Sequence, residues 1–269
     1  MIKLLASDID RTLLRSDRSL TDRTKAALQA AVTAGVQFVP ASGRQTFSIA
    51  RVLGPMAWLR YAIGSNGAVA QDLTTGTYLF EETLAVPVQT ELVVRMRDLF
   101  PSLRAVSVRD GGEAFYPESG YAGMMDPGDH ERDPRRLAEF SLAEVLETPS
   151  VKLVLRTPEV PVDELWRAAA RLNVAGCSIT TSGAPFLEVG PAGVSKAAGL
   201  ARLCSLLGIA AADIVAFGDN HNDIDMLGWA GTGVAVANAI PEAKAVADEL
   251  TASNDDDGVA GWIEDYLSR

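Results

Sequence analysis

Two aspartates stand two residues apart in "ASDIDRTLL" (6–14), directly after the apolar run "IKLL". Alternate side chains of an extended chain point the same way, so Asp8 and Asp10 present both carboxylates on one side. Like charges that close repel, and each raises the other's pKa unless something positive lies between them. The pair therefore suits either a polar loop or a site that gathers positive charge. Three more polar groups bear on that choice. Ser42 and Gly43 end the apolar "VQFVPASGR" (36–44), and Lys196 opens a helical stretch. The loop "GDNHND" (218–223) then groups Asp219, Asn222 and Asp223 after "IVAF".

Taken singly, each group has an ordinary reading: a turn, a solvated lysine, or acids at a helix N-terminus where the dipole favours them. A calcium loop starting at Asp219 is excluded. Its sixth position is Ile224 rather than glycine and its twelfth is Ala230 rather than glutamate.

The elements that must position these residues are legible at both ends of the chain. Strand patterns at 2–7, 36–44 and 61–70 alternate with helix patterns at 21–35 and 44–54, with a hairpin strand at 76–82. After residue 189 the alternation returns: helix 194–209, strand 213–219, helix 222–231, strand 233–238, then helices 241–248 and 258–267. This order predicts a parallel, Rossmann-like α/β sheet. In such sheets ligands bind beyond the carboxyl ends of the strands, which brings the polar groups to one rim.

The middle, 83–188, mixes helices (88–100, 163–173) with strands (105–116, 151–157, 177–189), and Gly111–Gly112 makes a hairpin turn. It reads as an α+β domain inserted into an α/β core formed by 1–82 and 189–269. The Gly-, Pro- and charge-rich 117–136 reads as a surface loop. Arg109, Tyr121, His130 and Lys152 are polar enough to touch a ligand, but solvated surface is the expectation for each.

Bulk properties narrow the function. The chain has 269 residues, 48% hydrophobic and 22% charged, with a formal net charge of −11 and no cluster of basic residues. Binding along a nucleic-acid backbone is therefore not expected. Any anion must be attracted locally, by a metal, a lysine or backbone amides. Cys177 and Cys204 read as reduced thiols. No apolar run is long enough for a membrane span and no signal peptide is read, so a cytoplasmic protein without membrane partners is expected.

"DIDRTL", "SGR", Lys196 and "GDNHND", in that order, resemble the four motifs of the haloacid dehalogenase-like superfamily. The insertion resembles the type IIB cap of its Cof-type phosphatases, as do "SNGA" (65–68), "GVSK" (193–196) and "NDDDGVA" (254–260). The resemblance implies hydrolysis of a small phosphorylated metabolite through an aspartyl-phosphate, by a monomer or homodimer. Asp8 would be the nucleophile and Asp10 the general acid and base. Mg²⁺ would be held by Asp8, the Asp10 carbonyl, Asp219 and Asp223. Ser42, Gly43, Lys196 and Asn222 would bind the phosphoryl group. A phosphomutase and a non-enzymatic phospho-acceptor module are the rivals, while a haloacid dehalogenase would need neither metal nor Asp10. One departure stands out: the residue after Asp10, usually glycine in these sequences, is Arg11. A cation there would narrow the site mouth or meet an acid of the cap.

Overall fold

A computed structural model describes residues 1–126, 129–182 and 184–269. The central strand, Leu4–Ser7, is at most 2% exposed along its whole length. A strand buried on both faces must be apolar throughout, as "LLAS" nearly is. Leu5 packs into one core cluster with Leu28, Phe38 and Ile263, whereas Leu4 and Ala6 face a second with Val39, Leu200 and Leu203. The sheet is parallel, ordered Glu249–Thr251, Thr232–Val236, Ile214–Gly218, Leu4–Ser7, Gln37–Pro40. Helices Asp22–Thr33 and Gly258–Leu267 pack together beside the first cluster, and Lys196–Leu207 beside the second. Thr21 starts the first of these helices by accepting a hydrogen bond from the Thr24 amide.

A three-stranded antiparallel sheet (Tyr61–Gly64, Val69–Asp72, Thr77–Glu81) joins this core through a bridge between Ala41 and Ile63. The inserted segment builds a separate antiparallel sheet, ordered Ala114–Pro117, Arg104–Arg109, Lys152–Arg156, Leu187–Pro191, Cys177–Thr180. Helices Val86–Leu99, Leu142–Leu146 and Val162–Leu172 share one apolar cluster with it. Its other face joins Val106, Val108, Tyr121, Val154 and Phe186 to Ala68 and Val69 of the core.

Three expectations need correction. A boundary at 188/189 cuts through the strand Leu187–Pro191, which pairs in the second sheet along its whole length. The segment 117–136 is not simply surface: Tyr121 is fully buried beneath short helical turns, although Pro127 and Gly128 lie outside the described residues. Arg109, Tyr121 and Lys152 are buried and His130 is half-buried, so none of the four is solvated surface. Arg109 donates to the carbonyls of Glu144 and Val145, which gives it a structural task. Sequence periodicity misses these burials because they arise where two sheets dock, not along one element. Gly183, within the predicted strand 177–189, is also outside the described residues.

Candidate active site

Each polar group leaves the carboxyl end of a parallel strand. Asp8 follows Leu4–Ser7 and its amide donates to the Phe217 carbonyl at 3.0 Å, fixing it beside the end of Ile214–Gly218. Asp219 follows that strand directly, and Ser42 lies just beyond Gln37–Pro40, its amide bonded to the Ile63 carbonyl. The rim expected from strand order is therefore formed.

Lys196 is completely buried, contrary to the ordinary reading of a lysine at a helix start. Its ammonium donates to Asp8 Oδ1 at 2.5 Å and to Asp223 Oδ1 at 2.7 Å. Close backbone packing puts it there. A Cβ on Gly67, whose φ is +103°, would lie 2.0 Å from the Ser195 carbonyl oxygen. Only glycine lets the "SNG" turn touch the start of the Lys196 helix.

The carboxylates of Asp8, Asp219 and Asp223 all bring an oxygen within 4.8 Å of one another. Burial raises the Asp8 pKa well above its ordinary value; Lys196 opposes this, while Asp223, Asp219 and Asp10 add to it. Burial and Asp223 likewise push Asp219 up to about 7, against Lys196, the Thr12 hydroxyl and Arg11. Burial would lower the Lys196 pKa, but the two carboxylates more than reverse that. One ammonium among three buried acids leaves an excess of negative charge. Such a hard oxygen donor set fits a divalent cation. Asp223 is the most committed of the three: its other oxygen accepts from the Asp219 and Asn220 amides, both at 3.0 Å. Asp8 and Asp219 carry the less committed oxygens.

The Asp10 side chain is turned elsewhere. Arg44 holds it with Nε to Oδ2 and Nη2 to Oδ1, both 2.6 Å. Burial would lower the Arg44 pKa, but its bonds and charge attraction to Asp10 raise it. Arg44 was visible as the last letter of "SGR" yet not singled out; nothing along the chain signals a partner 34 residues away. Among the described residues Arg11 meets no acid of the inserted domain; its Nε is 4.0 Å from Asp219.

A cavity of about 360 Å³ opens over this rim. The core side includes Asp8, Asp10, Ser42, Gly43 and Arg44; the inserted domain contributes Asp129, His130, Lys152, Phe186 and Glu188. Lys152 ties the two together, donating to the Gly43 carbonyl and to Glu188 Oε1, each at 2.6 Å. Burial would raise the Glu188 pKa, but Lys152 holds it below its ordinary value. Asn222 is not in this cavity. Its amide donates to Asn66 Oδ1 at 3.0 Å, and with Lys196 it lines a neighbouring cleft beside Trp166.

Comparisons with known proteins identify the family. The profile of the haloacid dehalogenase-like hydrolase family matches residues 5–263, so the chain belongs to that family. YxeH of Bacillus subtilis (strain 168) is 30% identical, with 99% of each chain covered. The 5-amino-6-(5-phospho-D-ribitylamino)uracil phosphatase YwtE of the same organism is 27% identical, again with 99% of each chain covered. Among solved structures, the subclass IIB sugar phosphatase BT4131 has the same fold, with a TM-score of 0.83 and 21% identity over 98% of this chain and 99% of that one. The enzyme class of this chain is accordingly phosphoric monoester hydrolase. No helix among the described residues is long and apolar enough to cross a membrane.

Proposed function

We propose that the protein is a Mg²⁺-dependent phosphatase of small phosphorylated metabolites that works through an aspartyl-phosphate on Asp8. The observation that carries this reading is Asp8 itself. It sits at a strand terminus, bonded to a buried lysine, beside two further buried carboxylates and open to a metabolite-sized cavity.

Asp8 attacks phosphorus and displaces the alcohol of the ester. Lys196 holds the Asp8 carboxylate in place and offsets the negative charge of the arriving phosphoryl group. The Ser42 hydroxyl and the Gly43 turn border the same cavity and supply donors to phosphoryl oxygens. Asn222 contributes through Asn66, whose amide oxygen it orients. Asp219 and Asp8, with Asp223 and the Asp10 carbonyl, would hold the divalent cation, whose charge offsets the repulsion between a carboxylate and a phosphate dianion.

Asp10 protonates the leaving oxygen and later takes a proton from the attacking water. In the arrangement described, its carboxylate is occupied by Arg44, so this step requires Arg44 to release it.

The test is phosphate release from a panel of small esters, with Mg²⁺ and with chelator, for the wild type and Asp8→Asn. Metal-dependent release that disappears in the variant is expected. Wild-type turnover in Asp8→Asn overturns the assignment, and a stable phosphoprotein would favour a phospho-acceptor module.

A further inference from the structure

The cavity's charges fall into two sets. Four acids line it, and each is ion-paired: Asp10 with Arg44, Glu188 with Lys152, Asp8 with the Lys196 it shares with Asp223, and Asp129 with Arg156 at 2.5 Å. Three more arginines line the mouth, all from residues 11–18. Arg15 is paired with Asp257 at 3.1 Å. Among the described residues Arg18 has no ion pair, and Arg11 has a long one, from Nε to Asp219 Oδ2 at 4.0 Å. In a chain of net charge −11, the mouth of this one cavity holds positive charge in excess.

Both residues also share an uncommon backbone conformation with six other described non-glycine residues. Arg11 has φ +63° and Arg18 φ +67°, in the left-handed region. That region costs an ordinary L-residue roughly 1–2 kcal/mol. Glycine, asparagine or aspartate would relieve it, yet both positions carry a long cation. Strain kept at a site is grounds for assigning it a task. The Arg11 carbonyl is also pinned, accepting from Asn238 Nδ2 at 2.8 Å, so the strained turn is held from below.

Part of the wall is aromatic. Phe186 and His130 stack with ring centroids 4.4 Å apart and planes 24° from parallel, and both line the cavity. The cavity is thus anion-binding at its floor, apolar and aromatic at one wall, and cationic at its mouth.

We propose that Arg11 and Arg18 bind a second anionic group on the alcohol portion of the substrate. The preferred substrates are then phosphate monoesters that also carry a carboxylate or another phosphate. This inference rests on the phosphatase reading and narrows its substrate class. The shared chemistry is an oxyanion matched to guanidinium donors.

The test compares kcat/KM, in the presence of Mg²⁺, for matched hexose esters: glucose 6-phosphate, 6-phosphogluconate and glucose 1,6-bisphosphate. p-Nitrophenyl phosphate serves as a generic reporter of turnover. Arg18→Gly and Arg11→Gly are the informative variants, because glycine accepts the left-handed backbone; Arg18→Gly removes only the cation, whereas Arg11→Gly also breaks the long pair with Asp219. We expect the doubly anionic esters to exceed glucose 6-phosphate by about 10-fold, as two solvent-facing charge contacts would give. Each variant should shrink that ratio, as should high ionic strength. Preference for the carboxylate or for the bisphosphate alone identifies the anion. Equal turnover of esters with and without the second anionic group, or a ratio unchanged in both variants, overturns the inference and leaves the phosphatase reading standing. Absence of turnover on every ester, the reporter included, overturns both.

Discussion

Two buried lysines hold this molecule's polar interior together, and they differ in what surrounds them. Lys196, in the parallel-sheet core, bonds Asp8 and Asp223 with Asp219 close by. Lys152, on the inserted sheet, bonds Glu188 and the Gly43 carbonyl. Both ammonium groups are withdrawn from water, which is costly for any ion. The second arrangement balances, with one cation facing one carboxylate. The first does not, because three acids share one ammonium. A balanced buried pair fastens one layer to another, whereas an unbalanced one is prepared to receive a further cation and an anionic substrate.

Breaking the unbalanced site should have the largest effect. Lys196→Met is expected to lower kcat by roughly 10²–10³-fold, the scale for losing one donor aimed at developing charge. Its buried acids lose their ammonium, so urea unfolding in chelator should show a loss of about 3–5 kcal/mol. A variant with near-normal turnover would remove Lys196 from the chemistry.

The balanced pair should respond differently. Lys152→Met alone strands Glu188 and is expected to cost about 3–5 kcal/mol in urea unfolding. Lys152→Met combined with Glu188→Leu should recover most of that loss, since an apolar replacement of a whole buried pair is often neutral. No recovery in the double variant would show that the pair does more than fasten the sheets.

How much of this was legible in the sequence depends on how each contact is made. Asp8, Ser42, Asp219 and Asp223 were legible because an apolar strand followed by polar residues marks a sheet rim wherever the strands pair, and Lys196 only through its place in the motif order. The Arg44–Asp10 and Lys152–Gly43 contacts were not, because their partners lie 34 and 109 residues apart. Tyr121 was hidden by composition. Glycines and prolines around it signal a loop, but a loop that lies under a docking sheet is buried by that sheet. Leu187–Pro191 shows the opposite failure: its strand pattern was readable, yet nothing in "LEVGP" tells which sheet it joins.

The aromatic wall should respond to pH, gradually rather than in one step. Burial pushes the His130 pKa down to about 3, helped by Lys152 and Arg156 and opposed by Asp129 and Glu188. The unfolded chain takes up this proton near the ordinary value of 6.5, while the folded chain resists until about 3. Stability from this group is therefore full above about 6.5 and falls as pH drops towards 3, by up to about 1.4 kcal/mol per pH unit. Urea midpoints across that range should show the slope, and His130→Asn, which suits the residue's φ of +53°, should flatten it. An identical slope in the variant would assign the acid sensitivity to other groups.

Gly43 joins the two regions in a way that hydrogen bonds alone do not convey. Both Glu188 carboxylate oxygens stand 2.9 Å from where its Cβ would be. A single methyl at that position would act as a shim, prising the inserted sheet from the catalytic rim without altering any charge. Alanine at position 43 would thereby separate the contribution of contact between the layers from that of the ions which hold them, using one carbon atom.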